Sequence, residues 1–313
     1  MKSLEGKVAV VAGATRGAGR GIACMLGEAG AVVYCTGRST REQPNMTGAF
    51  AGRSENIDET AEMVSARGGV GIAARTDHSD ESQVEALFKR VAKEQGRLDV
   101  LVNDISEGEQ HEWKPFWKLS VEKGLRAMRQ AIDTHIITTR HAAPLLVKQK
   151  SGLVVEVGDG DALYYRGNLF YDLVKVNVAR LAYTWAEELR PHNVAVVYVT
   201  PGFMRTELAL ERLKATEENW REVAEKSKQA RGFGFAGSES PYFVGRAVAA
   251  LAADLKIWEK SGGLYGSWTL AEEYGFDDLD GTRPHWWRYF SENFPQMVNA
   301  KPNTGFRWKI ERQ

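Results

Sequence analysis

The chain has little cysteine, no surplus of charge of either sign, and no long apolar run. Of its 313 residues only Cys24 and Cys35 are cysteines, and they fall in an expected helix and an expected strand. Two thiols in a chain this long make no disulfide framework, which points to a reducing, cytoplasmic setting. Lys+Arg and Asp+Glu are equal at 41 each. There is no basic field to attract nucleic acid and no polybasic run to hold a membrane surface, so neither is expected as a partner. No apolar run reaches membrane-spanning length. The opening MKSLEGKVAVVAGAT reads as a first strand entering a glycine loop rather than as a signal peptide. His111, His141, His192 and His285 are scattered, and none stands at ligand spacing from a cysteine or carboxylate. No metal site is expected.

What the chain does have is alternation. KVAVVAG, AVVYCTG, VGIAART, LDVLVND, GLVVEVG, VAVVYVT and GLYGSWTL are apolar stretches of strand length. Each is apolar on both faces, the pattern of strands covered on two sides, so a parallel sheet with helices above and below is expected. Amphipathic stretches such as DESQVEALFKRVAKEQG and YDLVKVNVARLAYTWAEELRPH lie between them. The order predicts one doubly wound, Rossmann-type α/β domain of about seven strands over residues 1–275. Three segments break the rhythm: a polar, glycine-rich loop at 39–55, a substrate loop at about 203–240, and an aromatic-rich extension at 276–313. The extension reads either as a strap packed on the surface or as a lid or oligomer contact.

The first strand runs into AGATRGAGRG. Gly13, Gly17 and Gly19, with Thr15, Arg16 and Ala18 between them, form a turn after a strand and before a helix. Residues without Cβ let backbone N–H groups approach a pyrophosphate, and the helix N-terminus adds positive potential. The second strand ends in Gly37-Arg38-Ser39. An acidic residue there would bind a ribose diol and select NAD. A guanidinium and a hydroxyl suit a 2′-phosphate instead, with Arg16 as a second cation, so NADP(H) is the expected cofactor.

YDLVK places Tyr171 and Lys175 four residues apart on one helix face. With this pair and the glycine loop both in place, the chain resembles the short-chain dehydrogenase/reductase family over about residues 5–275. The ending LAEEYGFDDLDG looks like the branch of dehydrogenase/reductase SDR family member one. The resemblance implies that Asp77 and His78 lie against the adenine and that Asn103 ends the fourth strand beside the cofactor. It also implies that Pro201, Gly202 and Thr206 touch the nicotinamide carboxamide and phosphates. It implies a homodimer or homotetramer paired through helices at about 120–148 and 171–190. The departures are Asp104-Ile105-Ser106 after Asn103, and a helix asparagine with no clean match. Gln130 is the nearest polar residue, with Asp133 and His135 beside it. Asp159 stands where the family has serine, with Asp161 as the fallback. Glu156, just before, adds acidity to this neighbourhood and reads as an acid on the sheet face against a helix.

These residues describe a reductase acting on C=O or C=N, with Tyr171 as acid/base and Lys175 favouring its phenolate. Asp159 admits three readings. It is protonated and donates as serine would; or it is ionised and faces an iminium or a substrate amine; or it points away. Aromatic residues near the expected pocket include Trp113, Tyr165 and Phe203, with Phe116, Trp117, Tyr164, Phe170 and Trp220 nearby. They suit a small ring-bearing or cationic substrate. A low-turnover cofactor-binding protein and a non-redox dehydratase or cyclase are the competing classes.

Overall fold

The computed structural model describes residues 2–44, 50–106, 111–160 and 165–295. Seven strands pair in parallel: β1 (Val8–Ala12), β2 (Val32–Gly37), β3 (Val70–Arg75), β4 (Val100–Asn103), β5 (Gly152–Val157), β6 (Val194–Thr200) and β7 (Leu264–Gly266). Their order across the sheet is β3-β2-β1-β4-β5-β6-β7. Successive side chains of a strand face opposite ways, and the two cores follow that alternation. Ala9, Val11, Val33 and Val155 pack with Ile22, Val64 and Val248 on one face. Val8, Val10, Val154 and Val196 pack with Phe88, Leu146 and Val178 on the other. The first face is covered by α1 (Gly17–Glu28), α2 (Ile57–Ala66) and α9 (Pro241–Ala253), the second by α3 (Glu81–Gln95), α4 (Val121–Gln149) and α5 (Leu169–Leu189).

Local signals start and stop these helices. Asp80 accepts hydrogen bonds from the amides of Ser82 and Gln83 to open α3, and Gly96 closes it at φ 69°. Asn168 accepts from the Tyr171 amide at 3.0 Å. That cap sets Tyr171 in the first turn of α5, just beyond the end of β5.

The last strand is shorter than its sequence suggests. GLYGSWTL leaves the sheet at Gly266, and Ser267–Tyr274 form α10. The turn at Gly266 has a cause: a Cβ there would meet the Trp268 ring at 2.4 Å, so the strand ends where the indole packs back. The substrate loop holds three short helices, α6 (Glu207–Leu213), α7 (Trp220–Lys226) and α8 (Lys228–Gly232), around Trp220 and Phe235. The extension carries α11 (Trp286–Asn293).

Arg205 ties these late segments together. Its guanidinium is 1 % exposed. Nη1 donates to the Ser238 carbonyl at 2.7 Å, Nε pairs with Glu217 at 3.1 Å, and Nη2 reaches Asp278 at 3.4 Å. The Trp220 ring lies 4.0 Å beneath it. No helix among the described residues is long and apolar enough to cross a membrane.

Candidate active site

Strand order reverses between β1 and β4, and crevices at such switch points lie beyond the strand C-termini. A cavity of about 610 Å³ opens there. Gly13 shapes its floor. Its φ is +95°, and a Cβ would come within 2.4 Å of the Asp104 carbonyl, so only glycine fits this turn.

Of the expected cofactor residues, Gly13, Thr15, Arg16, Gly17, Ala18, Arg38, Ser39, Asp77, His78, Lys175, Tyr171, Pro201, Gly202 and Thr206 border the cavity. Gly19 lies beneath Gly13 instead. Asn103 does not reach the cavity with its side chain. It is fully buried below and donates to Thr139 Oγ1 at 2.9 Å and Glu156 Oε1 at 2.5 Å. The His78 ring is also turned inward, 2.7 Å from Thr36 Oγ1 and 2.7 Å from Thr138 Oγ1. Burial pushes that imidazole down to about 3, so it stays neutral.

Arg16 tests the fit to a phosphate-bearing group. Its guanidinium stacks over Phe50 at 4.8 Å and stands 3.5 Å from Glu55. Nε is the atom that faces Glu55, at ion-pair rather than hydrogen-bond distance, and Nη2 is buried with no hydrogen-bond partner among the described residues. Buried guanidinium nitrogens demand acceptors, and phosphate oxygens in this cavity would supply them. Arg16 and Arg38 therefore fit a dinucleotide. Sequence reasoning missed Glu207, whose Oε2 accepts from the Gly17 amide at 3.0 Å at the start of α1. An incoming phosphate must compete with that carboxylate.

At the other functional pole, Tyr171 Oη donates to Asp159 Oδ2 at 2.6 Å. Lys175 Nζ lies 5.0 Å from the Tyr171 ring centroid. Arg166, absent from any sequence-based expectation, holds the turn between them. Its Nε and Nη2 donate to the Asp159 carbonyl at 3.0 and 2.7 Å, and Nη1 donates to Asp172 at 3.0 Å. The same guanidinium stands 4.0 Å from the Asp159 carboxylate. A loop arginine whose targets are a backbone carbonyl and a helix carboxylate leaves no spacing signal. His111 packs against Tyr171 at 4.7 Å.

Gln130 and Phe203 border the cavity; Trp113 and Tyr165 do not. Trp113 stands edge-on to Tyr171 at 6.1 Å, and both it and Tyr165 are 65 % exposed. Nearness to Tyr171, in sequence for Tyr165 and in space for Trp113, did not bring either ring inside. Asp133 faces solvent on α4. Asp161 and Tyr164 lie outside the described residues. Unexpected lining comes from α11: Trp286, Trp287 and Phe290. The signal was available, since WWxxF in the extension puts rings three and four residues apart on one helical face.

Two buried acids support the site from below. Glu156 faces α4, where His135 Nδ1 meets it at 2.5 Å. His135 Nε2 meets the Ile105 carbonyl at 3.1 Å, fixing a residue that lines the cavity. Burial works against charge on His135, but Glu156 outweighs it and raises the imidazole. Glu239 holds Gly202 through its amide at 2.9 Å and accepts from Ser267 at 2.6 Å. Burial pushes Glu239 up to about 8, Asp278 adding to the rise and Arg205 opposing it. A carboxyl raised above its unfolded value gives stability that is full below about pH 4.3 and is lost as pH rises through about 8. Glu239→Gln should therefore flatten the fall in melting temperature between pH 5 and 8, read by calorimetry. An unchanged fall over that range would refute the assignment. Among the described residues no group of three His, Cys, Asp or Glu side chains is placed to hold a metal ion.

Comparison with known proteins agrees with this architecture. The family described as short chain dehydrogenase matches residues 7–217. Dehydrogenase/reductase SDR family member 1 of Mus musculus is 35 % identical over 283 residues, covering 89 % of this chain and 85 % of that protein. The 7alpha-hydroxysteroid dehydrogenase of Clostridium sardiniense is 26 % identical over 214 residues, covering 68 % of this chain and 76 % of that one. A solved short chain dehydrogenase of Mycobacterium thermoresistibile superposes with TM-score 0.72 at 18 % identity, covering 90 % and 92 % of the two chains, a likeness of fold. Matched through most of its sheet by the family pattern and along most of its length by one member, this chain belongs to the short-chain dehydrogenase/reductase family of nicotinamide-dependent oxidoreductases.

Proposed function

We propose that this chain is an NADPH-dependent reductase of a small ring-bearing substrate whose acceptor carbon is part of a C=N group and carries positive charge. The observation that carries this reading is the 2.6 Å contact between Tyr171 Oη and Asp159 Oδ2 at the cavity wall. When bound, the nicotinamide supplies hydride. The chain must then meet the change of charge on the acceptor. An ionised carboxylate only accepts hydrogen bonds and would repel an alkoxide forming beside it. Next to an iminium, the same charge attracts. An iminium also brings its own proton, so its reduction to an amine takes none from Tyr171.

For a neutral carbonyl, Tyr171 would have to move its proton from Asp159 to the substrate oxygen and recover another. The Lys175 ammonium favours the resulting phenolate. Asp159 favours the phenol. Its side chain is 40 % exposed, so solvent reaches the contact between Asp159 and Tyr171. Arg166 fixes the turn that carries it.

The preference for the 2′-phosphorylated cofactor rests on Arg38, Ser39 and the unsatisfied Arg16 Nη2 at the same cavity. Pairing into dimers or tetramers is supported by Leu125 and Ile136 on α4 and Leu173 on α5, apolar side chains left exposed. A cytoplasmic location rests on the free, buried cysteines.

The test is NADPH consumption on matched cyclic imines and ketones by wild type and Asp159→Ser. Wild type should prefer imines, and the serine variant should gain on ketones by about tenfold or more. Cofactor binding with no NADPH oxidation on any member would end the reductase reading. Separately, Arg38→Ala should weaken NADPH about 10- to 100-fold while leaving NADH nearly unchanged, as loss of a charge-assisted phosphate contact implies. Equal losses for the two cofactors would refute the NADP assignment.

A further inference from the structure

One wall of the cavity is built by α11, whose rings are not among the residues expected to hold a dinucleotide or move a proton. Trp286, Trp287 and Phe290 border the cavity beside Phe203 and Leu208. The pattern matched to the family ends at residue 217, so this wall comes from a segment beyond the matched scaffold.

The seat of α11 is shaped for it. Trp286 packs on Phe203 at 5.9 Å and on Phe290 at 5.6 Å. A Cβ at Gly202 would lie 2.6 Å from Trp286 Cβ, and one at Gly237 would lie 2.3 Å from the Tyr289 ring. Two loops thus omit side chains where the helix arrives. Upstream, Asp278 is bound by Arg205 and by the Ser240 amide at 2.8 Å, and Arg288 pairs with Glu272 at 3.0 Å. Packing accounts for Trp286 and Tyr289. It does not account for Trp287, which is 41 % exposed while bordering the cavity. Phe290, packed between Trp286 and Phe294 and next to Trp287, borders the cavity on the same wall. A large ring left half-uncovered on a cavity wall marks a surface that binds something flat and apolar.

We propose that Trp287 and Phe290 form an aromatic platform that binds the body of the substrate, and that this body is a planar arene fused or joined to the reacting C=N group. Arenes stack offset or edge-on against such rings, and an arene bearing a cationic nitrogen gains a further cation–π attraction. The platform sets which molecules enter; Tyr171 and Asp159 set what happens to them. The inference deepens the reductase reading, yet its binding claim is measurable without turnover.

The probes are tetralone and dihydroisoquinoline, which carry an arene, against cyclohexanone, which lacks one. Trp287→Ala and Phe290→Ala should each raise KM for the arene probes roughly tenfold, with KM for cyclohexanone and the NADPH Kd within about twofold. Tetralone should quench tryptophan emission, and Trp287→Phe should reduce the quench. Trp287→Phe and Phe290→Tyr keep an aromatic ring in each seat and should restore most of the arene affinity that the alanine variants lose. Arene binding that depends on α11 with no NADPH oxidation would uphold the platform and defeat the reductase reading. NADPH oxidation in which both alanine variants treat tetralone and cyclohexanone alike would overturn the platform and leave α11 a strap.

Discussion

Tyr171→Phe should lower kcat on the preferred ketone by about a thousandfold while the dinucleotide Kd changes less than about threefold. Phenylalanine keeps the ring against His111 and Trp113 and removes only the hydroxyl that meets Asp159. The loss should therefore fall on proton transfer and leave assembly of the site intact. Imines give the sharper comparison. If the acceptor enters as an iminium, the hydroxyl is not needed as a proton source, and the loss on imines should be at least tenfold smaller than on ketones. Stopped-flow measurement of NADPH disappearance with both substrate types, alongside fluorescence titration of NADPH, reads all three quantities. Equal losses on ketone and imine would show that Tyr171 serves both by the same proton transfer. A kcat within tenfold of wild type on every substrate would remove Tyr171 from the chemistry.

The second large effect lies beneath the site. His135→Leu should destabilise the protein by about 3–5 kcal/mol, because it breaks a fully buried pair by removing the imidazole from Glu156, which keeps the Asn103 amide. Both side chains are at most 1 % exposed. His135→Gln, which keeps a hydrogen bond to each neighbour, should recover most of that loss. The pH dependence has a definite sign. The folded imidazole is raised above its unfolded value, so its contribution is fully present below about pH 6.5 and fades as pH rises through the folded value. The gap in stability between wild type and His135→Gln should accordingly narrow from pH 6 toward alkaline pH in urea titrations. A gap that widens instead would mean the pair is held neutral. Since His135 also fixes the Ile105 carbonyl, the leucine variant should bind dinucleotide more weakly even where it remains folded.

These two predictions also mark where the sequence was readable. The glycine loop, Tyr171 with Lys175, and Asp159 twelve residues earlier are local patterns on elements of regular geometry. A strand, a turn and a helix start determine their positions, and the structure brings all of them to one cavity. The doubly wound order was legible for the same reason, since it rests on periodicity. Glu156 was legible in part: its place in an apolar strand suggested a helix-facing acid, but its partner on α4 required a register that no local pattern supplies. Arg166, Glu207 and Glu239 were not legible. Each bonds to a group far away in sequence or to a backbone atom, and neither kind of contact leaves a spacing. SWTL looked like strand because Trp and Thr favour strands, yet the Trp268 ring folds back over Gly266 and the segment continues as α10. Trp113 and Tyr165 show the reverse failure, being near Tyr171 in sequence or in space yet outside the cavity.

The Arg205 cluster has a consequence for how the chain comes into being. A ribosome releases the N-terminus first, and early parts of a chain can order before later ones exist. Arg205 emerges 73 residues ahead of Asp278. By then β1 to β6 and the glycine loop have all been made. Until the last acidic partners arrive, a guanidinium destined for burial lacks the carboxylates that offset its desolvation, and the loop around it has no reason to close. Translation thus orders the molecule in time: the strands through β6 and the glycine loop can mature before Asp278 is made, while the loop around Arg205 waits for it.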